Sequence, residues 1–152
     1  MDTLNNTWNL WFHDPLDNNW KLNSYKKVSS INTIIDFWKS YNFLNNKIVE
    51  NSMLFLMKNN IDPLWEHKDN IKGGSWSIKL QKGNLYDIWT TISIYLINEQ
   101  ISDEDINGIS ISPKKNFCII KIWTKNNNND IKKLKKIKNI PYEGIIFKAH
   151  SL

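Results

Sequence analysis

A chain of 152 residues, 41% hydrophobic and 23% charged, has the size and apolar content of one globular domain, here residues 1–152. Its 20 basic residues are all lysine and outnumber 15 acidic ones by +5, a balance that suits a polyanionic partner. The single Cys118 excludes an internal disulfide and a multi-cysteine metal cluster, the widely spaced His13, His67 and His150 exclude a zinc-hydrolase centre, and no apolar run reaches the ~18 residues of a membrane span.

The elements follow from periodicity. Thr7 to His13 alternates as a strand, with Trp8, Leu10 and Phe12 on one face and Asn9, Trp11 and His13 on the other. A polar stretch, Asp14 to Asn19, leaves Trp20 on or beside a loop, and a weaker strand is expected over Leu22 to Val28. Asn32 or Thr33 caps a helix through Ile34, Ile35, Phe37, Trp38, Tyr41 and Leu44. Ser52 to Met57 reads as a buried strand, and a polar loop from Asn59 to Gly74, punctuated by Pro63 and Gly73-Gly74, carries Trp65 and Glu66.

Further along, Ser75 to Leu80 alternates as a strand and Leu85 to Gln100 has helical spacing. Ile106 to Ser112 and Phe117 to Thr124 form a hairpin around Pro113-Lys114-Lys115-Asn116, with the acidic Asp103, Glu104 and Asp105 read as a solvated loop before it. After the loop Asn126 to Asn129, the segment IKKLKKIKN places Ile131, Leu134 and Ile137 on one stripe of a basic helix, and Gly144 to His150 closes as a strand. The order predicts an α+β fold: a largely antiparallel sheet with three helices on one face.

The 23 asparagines and 23 isoleucines fit an A+T-rich coding sequence, whereas eight tryptophans run against that bias. Trp11, Trp76 and Trp89 lie in apolar stripes and read as core. Trp20 and Trp65 lie among polar neighbours, where a bare indole costs free energy unless something covers it, and two such rings can clamp a flat ligand. Glu66 follows Trp65 directly, and a carboxylate accepts the paired N1–H and N2–H of guanine. The same glutamate has a second reading, paired with Lys68 or Lys72 on a solvated loop. G-x-S-x-G, P-loop and G-x-G-x-x-G patterns are all missing, so no enzyme is expected.

The blocks TWNLWF (7 to 12), Trp20, IIDFWKSYN (34 to 42), IDPLWE (61 to 66), GGSWSIKL (73 to 80), DIWTTISIYLI (87 to 97) and IIKIWT (119 to 124) resemble, in order and spacing, the eukaryotic translation initiation factor 4E family of messenger-RNA cap-binding proteins. The resemblance covers nearly the whole chain. It implies a curved antiparallel sheet with three helices on its convex face and a 7-methylguanosine cap as ligand, with no cofactor or metal. Trp20 and Trp65 would sandwich the base, Glu66 would bind its Watson–Crick edge, the Trp65 N–H its O6, and Trp123 would pack near the methyl group.

On the phosphate side the family pattern is altered. Lys114 stands at its arginine position, Ile119 at its lysine position, and Lys121 at a small apolar position, where it substitutes for the missing cation; Lys114 and Lys121 also read as plain hairpin charge. Lys114 and Lys121 would contact the cap phosphates, with a steeper salt response than an arginine gives. On the convex face Trp38, with Ile34 beside it, matches the tryptophan offered to the helix of initiation factor 4G or of 4E-binding repressors. Two departures bear on that surface: Asp2-Thr3 replaces a His-Pro pair, and Thr91 replaces a glutamate.

The resulting expectation is a monomeric, non-enzymatic cap-binding factor of translation initiation with capped mRNA and a scaffold helix as partners and no membrane association. Lacking a leader in MDTLNNTWNL, it is expected in the cytoplasm, with the Asn5-Asn6-Thr7 sequon idle and no later loop over the cap after Leu152. Two other readings use the same residues: a cap-binding repressor or decoy that does not recruit initiation factor 4G, and a general single-stranded RNA binder.

Overall fold

The computed structural model describes residues 3–128 and 130–151. Seven strands, β1 (Thr3–His13), β2 (Lys26–Thr33), β3 (Met53–Lys58), β4 (Gly74–Gln81), β5 (Ile106–Pro113), β6 (Phe117–Thr124) and β7 (Ile146–Ala149), build one sheet in the order β2-β1-β3-β5-β6-β4-β7. Every neighbouring pair is antiparallel. The helices α1 (Ile34–Tyr41), α2 (Asn46–Asn51) and α3 (Leu85–Ile97) interrupt the strand sequence.

Strand alternation divides the molecule into two faces. Trp8 and Leu10 of β1, Leu54 and Leu56 of β3, Ile109 and Ile111 of β5, and Ile120 and Ile122 of β6 point to the helices and form the main core with Phe37, Tyr41, Trp89, Ile92 and Leu96. Each such apolar side chain contributes about 1.5–3 kcal/mol on burial. The intervening residues Trp11, Phe55, Met57 and Trp123 make a second, smaller cluster on the opposite face. Helices on one side therefore leave the other side of the sheet open for a ligand.

The α1 start is fixed by a capping box: the Asp36 N–H donates to Thr33 Oγ at 3.1 Å, and Asp36 Oδ2 accepts from the Thr33 N–H at 3.1 Å. Thr33, not Asn32, is the cap. At α3, the half-turn before the helix lacks a side-chain cap of its own. Glu50 supplies it from α2, its Oε2 accepting from the backbone N–H of Gly83 at 2.9 Å and of Leu85 at 3.0 Å.

Several boundaries differ from the sequence reading. The strand expected over Leu22 to Val28 begins only at Lys26 and runs on to Thr33, because Leu22–Ser24 closes a 3-10 turn. The helix α1 stops at Tyr41, before Leu44, and α3 stops at Ile97, before Gln100.

The basic helix over Ile131 to Asn139 does not form. Only Ile131–Lys133 makes a 3-10 turn, and the rest is an irregular strap, turning at 138–139, that buries Leu134, Ile137 and Ile140. Lysines at 132, 133, 135, 136 and 138 fall at i,i+3 and i,i+4 spacings, where like charges oppose a helix. The strap instead bonds to the Ile101 and Asp103 backbone, Lys135 N–H to Ile101 O at 2.8 Å and Asp103 N–H to Lys133 O at 2.9 Å. The third helix is α2, six residues capped by Asn45 and too short to show a period.

Candidate ligand slot and the opposite helical face

The floor of the open face is aromatic. Trp123 is buried, its Nε1–H donates to Ser110 Oγ at 3.0 Å, and Phe55 meets it edge-on with centroids 6.2 Å apart. The β5 residue paired with Trp123 is Gly108, next to a bulge; a Cβ there would lie 2.4 Å from Met57 Sδ, so the backbone approaches as only glycine allows.

Above this floor stands the loop from Asn59 to Gly73. Its internal bonds converge on Asn70, which is fully buried. The Asn70 amide donates to Leu64 O at 2.9 Å and Asp62 O at 3.2 Å, and its Oδ1 accepts from Asn107 Nδ2 at 2.9 Å. The turn held this way presents Trp65, 51% exposed, and the exposed Glu66. Among the described residues neither the Glu66 carboxylate nor the Trp65 N–H has a hydrogen-bond or ion-pair partner, so the pairing with Lys68 or Lys72 is not made.

Between loop and sheet lies a cavity of about 340 Å³ walled by Trp65, Trp123, Ser75, Ser77, Lys121 and Lys148, within the size of small-molecule sites. His150 closes its β7 side, tilted over Trp123 at 5.3 Å. The His150 Nδ1 faces Asn70 O at 2.7 Å, so it carries the proton, and Nε2 accepts from the Ser75 hydroxyl at 2.6 Å. Burial pushes the His150 imidazole below its usual range, the Asn70 carbonyl opposes this, and the Lys121 charge adds to it. A larger cleft of about 460 Å³ near Asn6, Lys58, Asn107 and Lys125 is polar and has no aromatic plate.

Trp20 is 48% exposed and does not line the cavity. It lies flat on His13, centroids 4.3 Å apart and planes 14° apart. His13 is fully buried and contacts Asn19 O through Nε2 at 2.6 Å, which places the proton there. Next in line is Tyr25, 4.5 Å from His13 and 5.4 Å from Phe55. Its phenol is pushed up to about 12, first by burial and then by the Glu66 charge. A line of rings thus runs from Trp20 through His13, Tyr25 and Phe55 to Trp123.

Lys121 stands on the same face as Trp123, cross-strand from Ser110 on one side and Ser77 on the other. Desolvation lowers its ammonium below the usual lysine range, and Lys148 and Lys114 lower it further. Lys114 occupies the β5–β6 hairpin, its N–H bonded to Phe117 O at 2.8 Å, outside the cavity wall. On the other side of the sheet Trp38 is 41% exposed, edge-on to Phe37 at 5.0 Å, with Ile34 half-buried and Ile35 exposed beside it. Asp2, at the position of the missing His-Pro pair, lies outside the described residues.

Sequence reasoning did not single out His13, Tyr25, Ser75, Ser77, Lys148 or His150. Ser75 and Ser77 were detectable as the off-core positions of SWSIKL, and Lys148 and His150 as alternate positions of FKAH. His13 and Tyr25 carried no signal, since only tertiary packing brings them under Trp20.

An antiparallel sheet backed by helices on one face, with an aromatic and lysine-rimmed slot on the other, is the architecture of this chain. The sequence matches the family model "Eukaryotic initiation factor 4E" over residues 3–151, and the chain belongs to that family. It is 33% identical over 146 residues to eukaryotic translation initiation factor 4E of Candida albicans, covering 88% of this chain and 68% of that one. The Drosophila melanogaster factor 4E1 is 33% identical over 134 residues, covering 84% of this chain and 51% of its own length, and the Dictyostelium discoideum factor is covered over 52% of its length. The chain therefore spans between about half and two thirds of the relatives it matches.

Solved structures agree on the fold. The C. elegans eIF4E-3 complexed with the 4E-binding protein Mextli and a cap analog superposes with a TM-score of 0.73 at 27% identity, over 82% of this chain and 75% of that one. The Ascaris suum eIF4E-3 complexed with the m7G cap gives 0.74 at 27% identity, over 83% and 74%.

Proposed function

We propose that this chain binds the 7-methylguanosine cap of messenger RNA in the slot and serves translation initiation by docking a partner helix on the opposite face. One observation carries the reading: the Trp65–Glu66 turn offers, side by side, a half-exposed indole, an unpaired carboxylate and a free backbone N–H. That set complements one face, the N1–H/N2–H edge and the O6 of a guanine.

Methylation at N7 makes the base cationic, so stacking on Trp65 gains a cation–π contribution of about 2 kcal/mol when desolvated beyond ~1–3 kcal/mol of ordinary stacking. Trp20 supplies the second plate. Trp20 lies flat on His13, and the line of rings continues from there through Tyr25. Trp123 floors the cavity where the methyl group would lie. Phosphates would then extend toward Lys121 and Lys114. Cap binding by the Ascaris relative and Mextli binding by the C. elegans relative support both halves of the proposal.

The test is quenching of tryptophan fluorescence by 7-methyl-GTP, with GTP as the control. Saturable quenching by the methylated ligand alone is expected. Equal quenching by both, or competition by uncapped RNA, would instead identify a general single-stranded RNA binder.

Thr91 on α3 stands where the family carries a glutamate, and the exposed Ile35 adds apolar surface beside Trp38. These favour a second reading in which the partner surface is altered and the protein sequesters capped messages. Binding of a Tyr-x-x-x-x-Leu helix decides between the two.

A further inference from the structure

Lys148 lies on β7, the last strand added to the sheet. It pairs with Ser75 of β4, and Ser75 pairs on its other side with Trp123 of β6. Cross-strand partners share a face, so Lys148 emerges beside the aromatic floor and not toward the helices. Lys121, two residues before Trp123, emerges on the same face one register step away. Both lysines wall the cavity that Trp65 and Trp123 frame.

Two lysines elsewhere meet a carboxylate, Lys58 with Glu99 at 3.7 Å and Lys133 with Glu104 at 2.8 Å. Among the described residues Lys114, Lys121 and Lys148 have no such partner. Three cations gathered without a carboxylate repel one another in the free protein, and an anion brought among them relieves that repulsion. The strand that carries Lys148 is fixed at its end: the His150 N–H donates to Gly73 O at 2.9 Å, and its ring bridges Asn70 and Ser75. A Cβ on Gly74 would lie 2.6 Å from Lys148 O, so β4 and β7 are in close contact there. Lys148 is thus held on a braced strand.

We propose that Lys148 is the third cation of a polyphosphate subsite, acting with Lys121 and Lys114 on the phosphate chain that extends from the base slot. The inference rests on the cap-slot reading. Lysines bind phosphate as point charges without the forked geometry of arginine, so the subsite selects for phosphate number more than for phosphate orientation. Affinity should therefore rise steeply along the series 7-methylguanosine, 7-methyl-GMP, 7-methyl-GTP.

Fluorescence titrations of the wild-type chain and Lys148→Ala with those three ligands, at two salt concentrations, test it. The variant is expected to lose about tenfold in affinity for 7-methyl-GTP and none for the nucleoside. Its slope of log affinity against log salt should flatten by about 0.7, one released counterion. Unchanged 7-methyl-GTP affinity and slope overturn the proposal. An equal loss for nucleoside and triphosphate also overturns it, since Lys148 would then act on the base or the fold.

Inorganic triphosphate separates this proposal from the cap reading. If wild-type protein ignores every methylated ligand yet binds triphosphate, detected by calorimetry, and Lys148→Ala weakens that binding, the subsite stands and the cap slot falls. If wild-type protein binds neither, both fall.

Discussion

On the proposed cap slot, removing the Glu66 carboxylate should separate ligand recognition from folding. The side chain is exposed and makes no hydrogen bond or ion pair with the described residues, so Glu66→Ala should change stability by no more than about 0.5 kcal/mol. In the complex it leaves two guanine donors without their acceptor, a loss of about 1.5–3 kcal/mol. That is roughly 10- to 150-fold in Kd. Glu66→Gln should lose nearly as much, because its NH2 group opposes a donor with a donor. The assay is fluorescence titration with 7-methyl-GTP beside urea unfolding of each variant. Since the Glu66 charge raises the Tyr25 phenol, either variant should also lower it from about 12, read by ultraviolet titration. Wild-type affinity in Glu66→Gln, with the Tyr25 shift present, would refute the assigned edge contact.

Trp38→Ala should abolish binding of a Tyr-x-x-x-x-Leu peptide, a loss of at least about 2 kcal/mol in calorimetry, while 7-methyl-GTP affinity holds. Glu50→Ala strands two N–H groups at the start of α3 and should cost about 1–3 kcal/mol in urea unfolding. His150 has its folded pKa depressed, so the unfolded chain binds more protons. Its contribution to stability is present above the unfolded value of about 6.5 and is lost as pH falls through the folded value. Thermal unfolding across that window should show the decline, and His150→Gln should flatten it.

What the sequence disclosed follows from how far each signal reaches along the chain. Alternation in TWNLWFH placed Trp8 and Trp11 on opposite faces, and the two clusters of the fold divide there. The polar surroundings of Trp65 marked it as exposed because a sixteen-residue loop was visible whole. Failures occur where one spacing serves two structures. Apolar residues at 131, 134, 137 and 140 fit a helix stripe as well as an irregular strap, and only lysine repulsion and the bonds to Ile101 and Asp103 select the strap. Lys148 and His150 alternate in FKAH, but only the pairing of β7 with β4 shows that this alternation puts Lys148 beside Ser75 and the slot.

The two-faced sheet separates the residues that pack the core from those beside the slot. On β6, Cys118, Ile120 and Ile122 are spent on the core, whereas Ile119, Lys121 and Trp123 point to the other face, where Lys121 and Trp123 line the slot. An exchange at Ile119 or Lys121 alters charge on that face and leaves the helix-side packing untouched. On the proposed subsite, a cation from β7 stands beside those of β6, because the register of β4 brings Ser75 between Trp123 and Lys148. The two proposed plates have less freedom. Trp20 depends on the His13 ring beneath it and Trp65 on the Asn70 amide that holds its turn, so substitution beneath either plate should disturb recognition even where no ligand atom is touched.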